Sequence, residues 1–274
     1  MAGENQKIKK GDAENWGVRL GNIAWPLAFI LGAAVLWEIL VRALHIPKWL
    51  LPALSVVLLR IGSDAAFLGT HAAYTLYVIL SGFLLAIAVG VPIALLISSW
   101  RVAEKALYPL LVFSQTVPKI AIAPLFAIWL GMTSLPHILI TLLISFFPIV
   151  IDTVAGLKSL PLEMIQLSQS MGTTRWQMFR KIRLPFALPY LFAGLKVAIT
   201  LAVVGAIVGE WVGSEKGLGY VLLLANGQLD TALAFSAIIV LTLMGMGLFF
   251  VVWLLEKLLI SWHVSERLKE VEGV

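Results

Sequence analysis

Apolar residues fill long uninterrupted runs of this chain, and polar residues are confined to the stretches between them. Runs at 24–44, 72–98, 107–130, 135–157, 186–212 and 232–255 each reach the roughly 20 residues a helix needs to cross a bilayer. They predict an all-α, polytopic membrane protein with about six transmembrane helices, since a lipid-exposed span must satisfy its own backbone hydrogen bonds. The first run is longer than a signal-peptide core and lacks a small-residue cleavage site, so it is read as a helix that stays. A further apolar piece, Leu54 to Ile61, follows Pro47 and Pro52, is too short to cross and is expected at an interface. Gly82, Gly90 and Pro92 in the second run suit close helix contact. Pro118 and Pro124 interrupt the third run, and Gly213, Gly217, Gly219 and Gly227 between the last two predict a re-entrant or tightly folded segment.

One polar break differs from the rest. Residues 158–185 form a basic, amphipathic insert in which two short helices are legible. Pro161 and Glu163 suit a first helical turn, Gly172 a C-terminal stop, and Thr174 with Gln177 a capping box. Met164, Leu167 and Met171 recur at helical spacing on the first helix, as do Trp176, Phe179 and Arg183 on the second, so each offers a narrow contact face around a glycine elbow.

Composition removes the soluble alternative. The chain of 274 residues is 60% hydrophobic and 13% charged, with a mean hydropathy of +0.97, far from a globular domain. It has no cysteine, so disulfides and thiolate metal sites are excluded. The net charge of +5 does not point to nucleic acid, because the basic residues are segregated. Lys7, Lys9, Lys10 and Arg19 precede the first span; Arg101 and Lys105 follow the second. Lys158, Arg175, Arg180, Lys181 and Arg183 lie in the 158–185 break, and Lys257, Arg267 and Lys269 in the C-terminal tail. The opposite side carries only Arg42, Lys48, Arg60 and Lys216. The positive-inside rule then places both termini and the 158–185 insert in the cytoplasm.

The insert resembles the cytoplasmic "EAA" loop of ABC importer permeases, in which a glycine is followed ten residues later by I-x-L-P. Here these are Gly172 and then Ile182, Leu184 and Pro185. The acidic position that should begin the motif is lost, Gln166, Leu167 and Ser168 standing in its place. The resemblance runs from about Leu51 to Trp262 and is closest to the nitrate, sulfonate and taurine group and its relatives for pyrimidine and thiamine precursors. It implies a type I permease fold in a bacterial inner membrane. The divisions would be a cytoplasmic tail at 1–22, a first helix with an outer segment at 23–66, the transmembrane domain at 67–256 and a cytoplasmic tail at 257–274. It also implies the partners: a second copy of the chain, two ATPase subunits that bind the ATP, and an external solute-binding protein. Met164, Leu167, Ser168, Met171, Gly172, Trp176 and Phe179 would then face the ATPase.

Charges inside the spans are expensive and call for partners or a wet path. Lys119, with Gln115 and Pro118 beside it on the broken third helix, is a candidate for the translocation pathway. Asp152 and Lys196 sit at a common depth, about 25 Å from the outer face at 1.5 Å per residue, which predicts an ion pair between the fourth and fifth helices. Glu38 and Glu210 fall near the outer interface and are expected to face water, and Glu210 with Trp211 lies where a docked binding protein would press. There is no phosphate-binding G-x-x-x-x-G-K-[ST] loop and no G-x-S-x-G elbow. His45, His71, His137 and His263 lack metal-ligand spacing. No enzyme activity, metal or cofactor is therefore expected in this chain. The rival reading is an ion-coupled secondary carrier in which Asp152, Lys196 and Lys119 relay protons; a membrane enzyme lacks any site elements to support it.

Overall fold

The computed structural model describes residues 24, 25 and 28–260. The tail expected at 1–22 and most of that at 257–274 lie outside the described residues. Among the described residues all regular structure is helical. The helices are α1 (28–43), α2 (Leu54–Ser63), α3 (Ala65–Ser99), α4 (Arg101–Gln115), α5 (Lys119–Leu130), α6 (Ser134–Lys158), α7 (Leu162–Ser170), α8 (Arg175–Met178), α9 (Leu184–Gly213), α10 (Leu218–Gly227) and α11 (Thr231–Leu259). A π-helical turn, Phe179–Arg183, joins α8 to α9, so that Arg175–Gly213 is one helix of 39 residues.

Four of these helices are long and apolar enough to cross a membrane: α3, α6, α8–α9 and α11. The third predicted span is not one rod. It divides into α4 and α5, bent by 93° at a short break. Pro118 caps α5; its ring removes one backbone donor and steers Val117 away from helical geometry, which ends α4 before it. Of the first predicted span, 28–43 is helical and largely exposed. Trp37 meets Phe235 of α11 at 5.5 Å between ring centroids.

Helix directions follow from where glycines meet neighbouring backbones. Going down α9, a Cβ on Gly209 would meet the His137 Cα at 2.8 Å, one on Gly205 the Thr141 Cα at 2.7 Å, and one on Gly194 the Asp152 Cβ at 2.9 Å. On α6, a Cβ on Gly156 would meet the Tyr190 Cβ at 2.6 Å. The numbers fall as their partners rise, so α6 and α9 are antiparallel. On α3, Gly82 faces Thr141 and Gly90 faces Ile149 and Val150, so α3 and α6 run parallel. The chain between two parallel helices has to return through the bundle, and the broken pair α4–α5 is that return. Between lipid-embedded helices there is no hydrophobic drive, and contact dispersion across small residues holds them. Ala187, Ala198, Ala202 and Ala206 of α9 join the same closely packed seam and are almost fully buried. Around it lie Ile79, Phe83, Ile97, Phe147, Ile149 and Val150.

The insert at 158–185 closes one end of the bundle, termed the loop end. At the other, far end, α2, the start of α3, α10 and the start of α11 pack together through Ile61, Leu68, Leu218, Val221, Leu233 and Ala237. The glycine-dense segment is thus a short buried helix packed at that end. A single methyl should discriminate seam from surface. Gly205→Ala is expected to destabilise the detergent-solubilised protein by about 1–3 kcal/mol through overpacking. Gly247→Ala, whose Cβ meets nothing within 4 Å, should stay within about 0.5 kcal/mol; thermal unfolding monitored by size exclusion reads both.

Candidate coupling surface and solute pathway

The elbow at the loop end is built from local hydrogen bonds. α7 starts after Pro161, carries Glu163 in its first turn and ends at Met171. Gly172 then adopts φ +71, with open space where a Cβ would stand, so a glycine is needed there for its backbone freedom and not for room. The Thr174–Gln177 capping box forms: Gln177 N–H donates to Thr174 Oγ1 at 3.3 Å and Thr174 N–H to Gln177 Oε1 at 2.9 Å. Ser168 was expected on the contact face but is 4% exposed. Its hydroxyl lies 2.6 Å from Thr173 Oγ1 and its carbonyl accepts from Thr173 Oγ1 at 2.7 Å, so it staples the elbow from inside.

The I-x-L-P signature acquires a mechanical meaning. Pro185 has no N–H to return to the preceding turn, and the Leu184 N–H reaches back five residues to the Phe179 carbonyl. The ladder therefore passes through a π turn instead of breaking, and α8 stays continuous with α9. Outside this frame stand apolar side chains: Met171 is 74% exposed, Trp176 66% and Leu167 63%, with Leu162 and Met164 beside them. Trp176 stacks on Phe179, half-buried, at 5.8 Å. Between this ridge and the end of α3 lies a groove of about 490 Å³, lined by Leu95, Ser99, Gln169, Arg175 and Arg183 among others. An ion pair from Lys158 to Glu104 ties the end of α6 to α4 at the same end.

Gln115, Pro118 and Lys119 come together at the 93° break, as the end of α4, the cap of α5 and its first residue. Lys119 Nζ lies 4.4 Å above the Phe147 ring, a cation on an aromatic face at the break. Phe113 and Ile120 beside the break are exposed, as are Ile128 and Trp129 at the other end of α5. At the far end a cavity of about 380 Å³ is lined by Tyr74, Thr133, Ser134, His137, Ser214 and Lys216 among others. There Tyr74 Oη and His137 Nδ1 are 3.1 Å apart.

Two expectations are overturned. Lys196 pairs with Glu256 of α11 at 2.8 Å, not with Asp152, which lies against Gly194. Depth was matched but azimuth was not: two residues along a helix turn it by roughly 200°, so Lys196 faces away from the seam that holds Asp152. Glu256 lies one residue beyond the predicted end of the last span, 232–255, and so was not weighed as an intramembrane partner. Lys119 lies on Phe147, Asp152 against Gly194 and Lys196 on Glu256, an arrangement that does not favour the proton relay of the carrier reading. Glu210, expected to face water, is 0% exposed and accepts from Thr75 Oγ1 at 3.1 Å and Gly219 N–H at 2.7 Å; Trp211 is half exposed. Of the residues that carry this far-end network, His71 was weighed only as a metal ligand and Thr75 was not singled out, because an isolated polar residue in an apolar run gave no spacing signal. Among the described residues no group of His and acidic side chains is arranged to hold a metal.

Residues 82–262 match the family model of the binding-protein-dependent transport system inner membrane component. The chain belongs to this family: it is an ABC importer permease subunit for small solutes, a multi-pass protein of the inner membrane and not an enzyme, with ATP hydrolysis in an ATPase partner. It is 38% identical over 241 residues to the formylaminopyrimidine transport permease of Halalkalibacterium halodurans, covering 88% of this chain and 96% of that one. It is 36% identical over 233 residues to the riboflavin transport system permease of Chloroflexus aurantiacus, covering 84% and 87%. The taurine transport system permease of Escherichia coli is 27% identical over 235 residues, covering 84% and 86%. Among solved structures, the inward-facing MetNI methionine ABC transporter superposes with a TM-score of 0.58 at 19% identity, over 67% of this chain and 92% of that one. The fold is that of a type I importer permease.

The reassigned ion pair has a direct test. Lys196→Glu is expected to lower the yield of folded protein, costing about 1–3 kcal/mol, between the surface and buried ranges for such pairs. The double exchange with Glu256→Lys should recover most of the loss, and exchange with Asp152→Lys should not.

Proposed function

We propose that this permease pairs with a second copy of itself to form the pathway for a small organic solute delivered by an external binding protein. The solute class is a sulfonate-, taurine- or nitrate-like anion, an aromatic acid or a pyrimidine precursor. Relatives named for formylaminopyrimidine, riboflavin and taurine transport support that range. The loop end and both termini face the cytoplasm, a reading supported by the excess of basic residues there. The chain itself carries no cofactor; two ATPase subunits bind the ATP.

The observation that carries this reading is the exposed apolar ridge of Leu167, Met171 and Trp176 on an elbow continuous with the 39-residue helix Arg175–Gly213. An amphipathic ridge of this kind seats in a partner's groove. A push on it travels along α9, and because α9 meets α6 backbone to backbone, α6 shifts with it. ATP then needs to favour one of two packed arrangements by only a few kcal/mol. The break at Gln115, Pro118 and Lys119 lines the pathway, where freed carbonyls and a cation meet an anionic or polar solute. Trp211 offers an apolar contact to the binding protein at the far end.

Replacing Met164, Leu167, Trp176 and Phe179 with alanine should cut solute uptake by about tenfold or more, the equivalent of losing 1.4 kcal/mol of productive docking. Uptake is measured in proteoliposomes containing the ATPase and binding protein. Membrane insertion should be retained, and unchanged uptake would overturn the docking role.

A further inference from the structure

We propose that Glu210 is a positioning residue that latches the start of α10 to α3 and α9, fixing one wall of the far-end cavity. The first N–H groups of a helix have no partner within it. In α10 they are taken by side chains from two other helices. Gly217 N–H, at the cap, donates to His71 Nδ1 at 3.0 Å, Leu218 N–H to Thr75 Oγ1 at 2.8 Å, and Gly219 N–H to Glu210 Oε2 at 2.7 Å. His71 and Thr75 are one helical turn apart on α3, on one face. The Thr75 hydroxyl receives from α10 and donates to Glu210 at 3.1 Å, so one side chain binds all three helices.

The fit excludes alternatives. A Cβ on Gly217 would lie 2.2 Å from Glu210 Cδ, and one on Gly219 2.9 Å from Glu210 Cβ. Gly217 also holds φ +101, a backbone conformation that favours glycine. A carboxylate at a helix N-terminus is electrostatically favourable. Yet Glu210 is wholly buried and its Oε1 has no hydrogen-bond partner. Such a group is a poor choice for stability alone, and its geometry points to fixing where α10 stands. The stretch just before α10, Gly213 to Lys216, lines the far-end cavity opposite Tyr74, the neighbour of Thr75. With the latch closed this stretch is a fixed wall; with it open, a loose loop.

The role in transport rests on the permease reading, but the latch itself can be read independently. The natural chain has no cysteine, so nitroxide labels at Ala66→Cys and Lys216→Cys report the distance between the start of α3 and the wall in the full assembly with its ATPase. A narrow distribution is expected in this background and with Glu210→Gln, which keeps the accepting oxygen. Glu210→Ala should broaden it, as should Thr75→Val, which leaves no new buried charge and carries the test if the alanine variant does not assemble. In parallel, stimulation of ATP hydrolysis by the cognate binding protein should fall about tenfold in the two broadened variants and be rescued by the glutamine. Narrow distances in both Glu210→Ala and Thr75→Val overturn the latch. Broadened distances with full stimulation reduce it to a packing role and also overturn the proposal. If the parent assembly shows no stimulation at all, the transport reading has failed, and the label distances alone decide the latch.

Discussion

The contact on which this fold depends is the approach of α6 and α9 along a stripe of glycine and alanine, close enough that a single methyl at Gly205 would enter the Thr141 backbone. In a bilayer this is one of the few ways to make helices prefer each other to lipid. It also fixes what can move. Two helices meshed backbone to backbone at Gly209, Gly205, Gly194 and Gly156 do not slide past one another, because each small residue fits only its own partner. They shift together or separate, and a third helix, α3, is joined to the same block through Gly82 and Gly90.

A push at the loop end, as proposed, would therefore meet a rigid recipient. The π turn at Phe179–Arg183 keeps α8 on the axis of α9, and the Ser168–Thr173 staple holds α7 against the elbow. What reaches the far end then depends on how α10 is attached. Its opening N–H groups are committed to α3 and α9, the same helices that form the block. Loop end and far end are in this way two faces of one body, which is what alternating access by rigid displacement requires.

Much of this was legible from pattern. The spans on α3, α6, α9 and α11, the capping box at Thr174, the stop at Gly172 and the short apolar α2 all follow from hydrophobic period and local backbone chemistry. Such signals lie within a few residues of each other. What was not legible depended on rotation about helix axes and on contacts between distant segments. Depth alone paired Lys196 with Asp152, whereas azimuth pairs it with Glu256. Hydropathy put Glu210 near water, whereas the glycine-rich segment folds back over it. Ser168 was placed facing the ATPase by the family resemblance, and its inward role appears only once Thr173 comes round the elbow. The split of the third run was foreshadowed by Pro118, but the 93° angle is a property of the fold.

The return limb contrasts with everything around it. α4 contributes no buried side chain among those described, and α5 only Ala123, so both halves are held by partly buried side chains and single polar contacts and less closely than α3, α6 and α9 hold one another. Compliance is thus distributed unevenly: a stiff core of meshed helices carries a soft, jointed arm with the lysine at its joint. On the pathway proposed above, such a gate would not have to deform its scaffold to open, since a swing of the arm about Thr116 and Val117 would change the bore while the core keeps its shape.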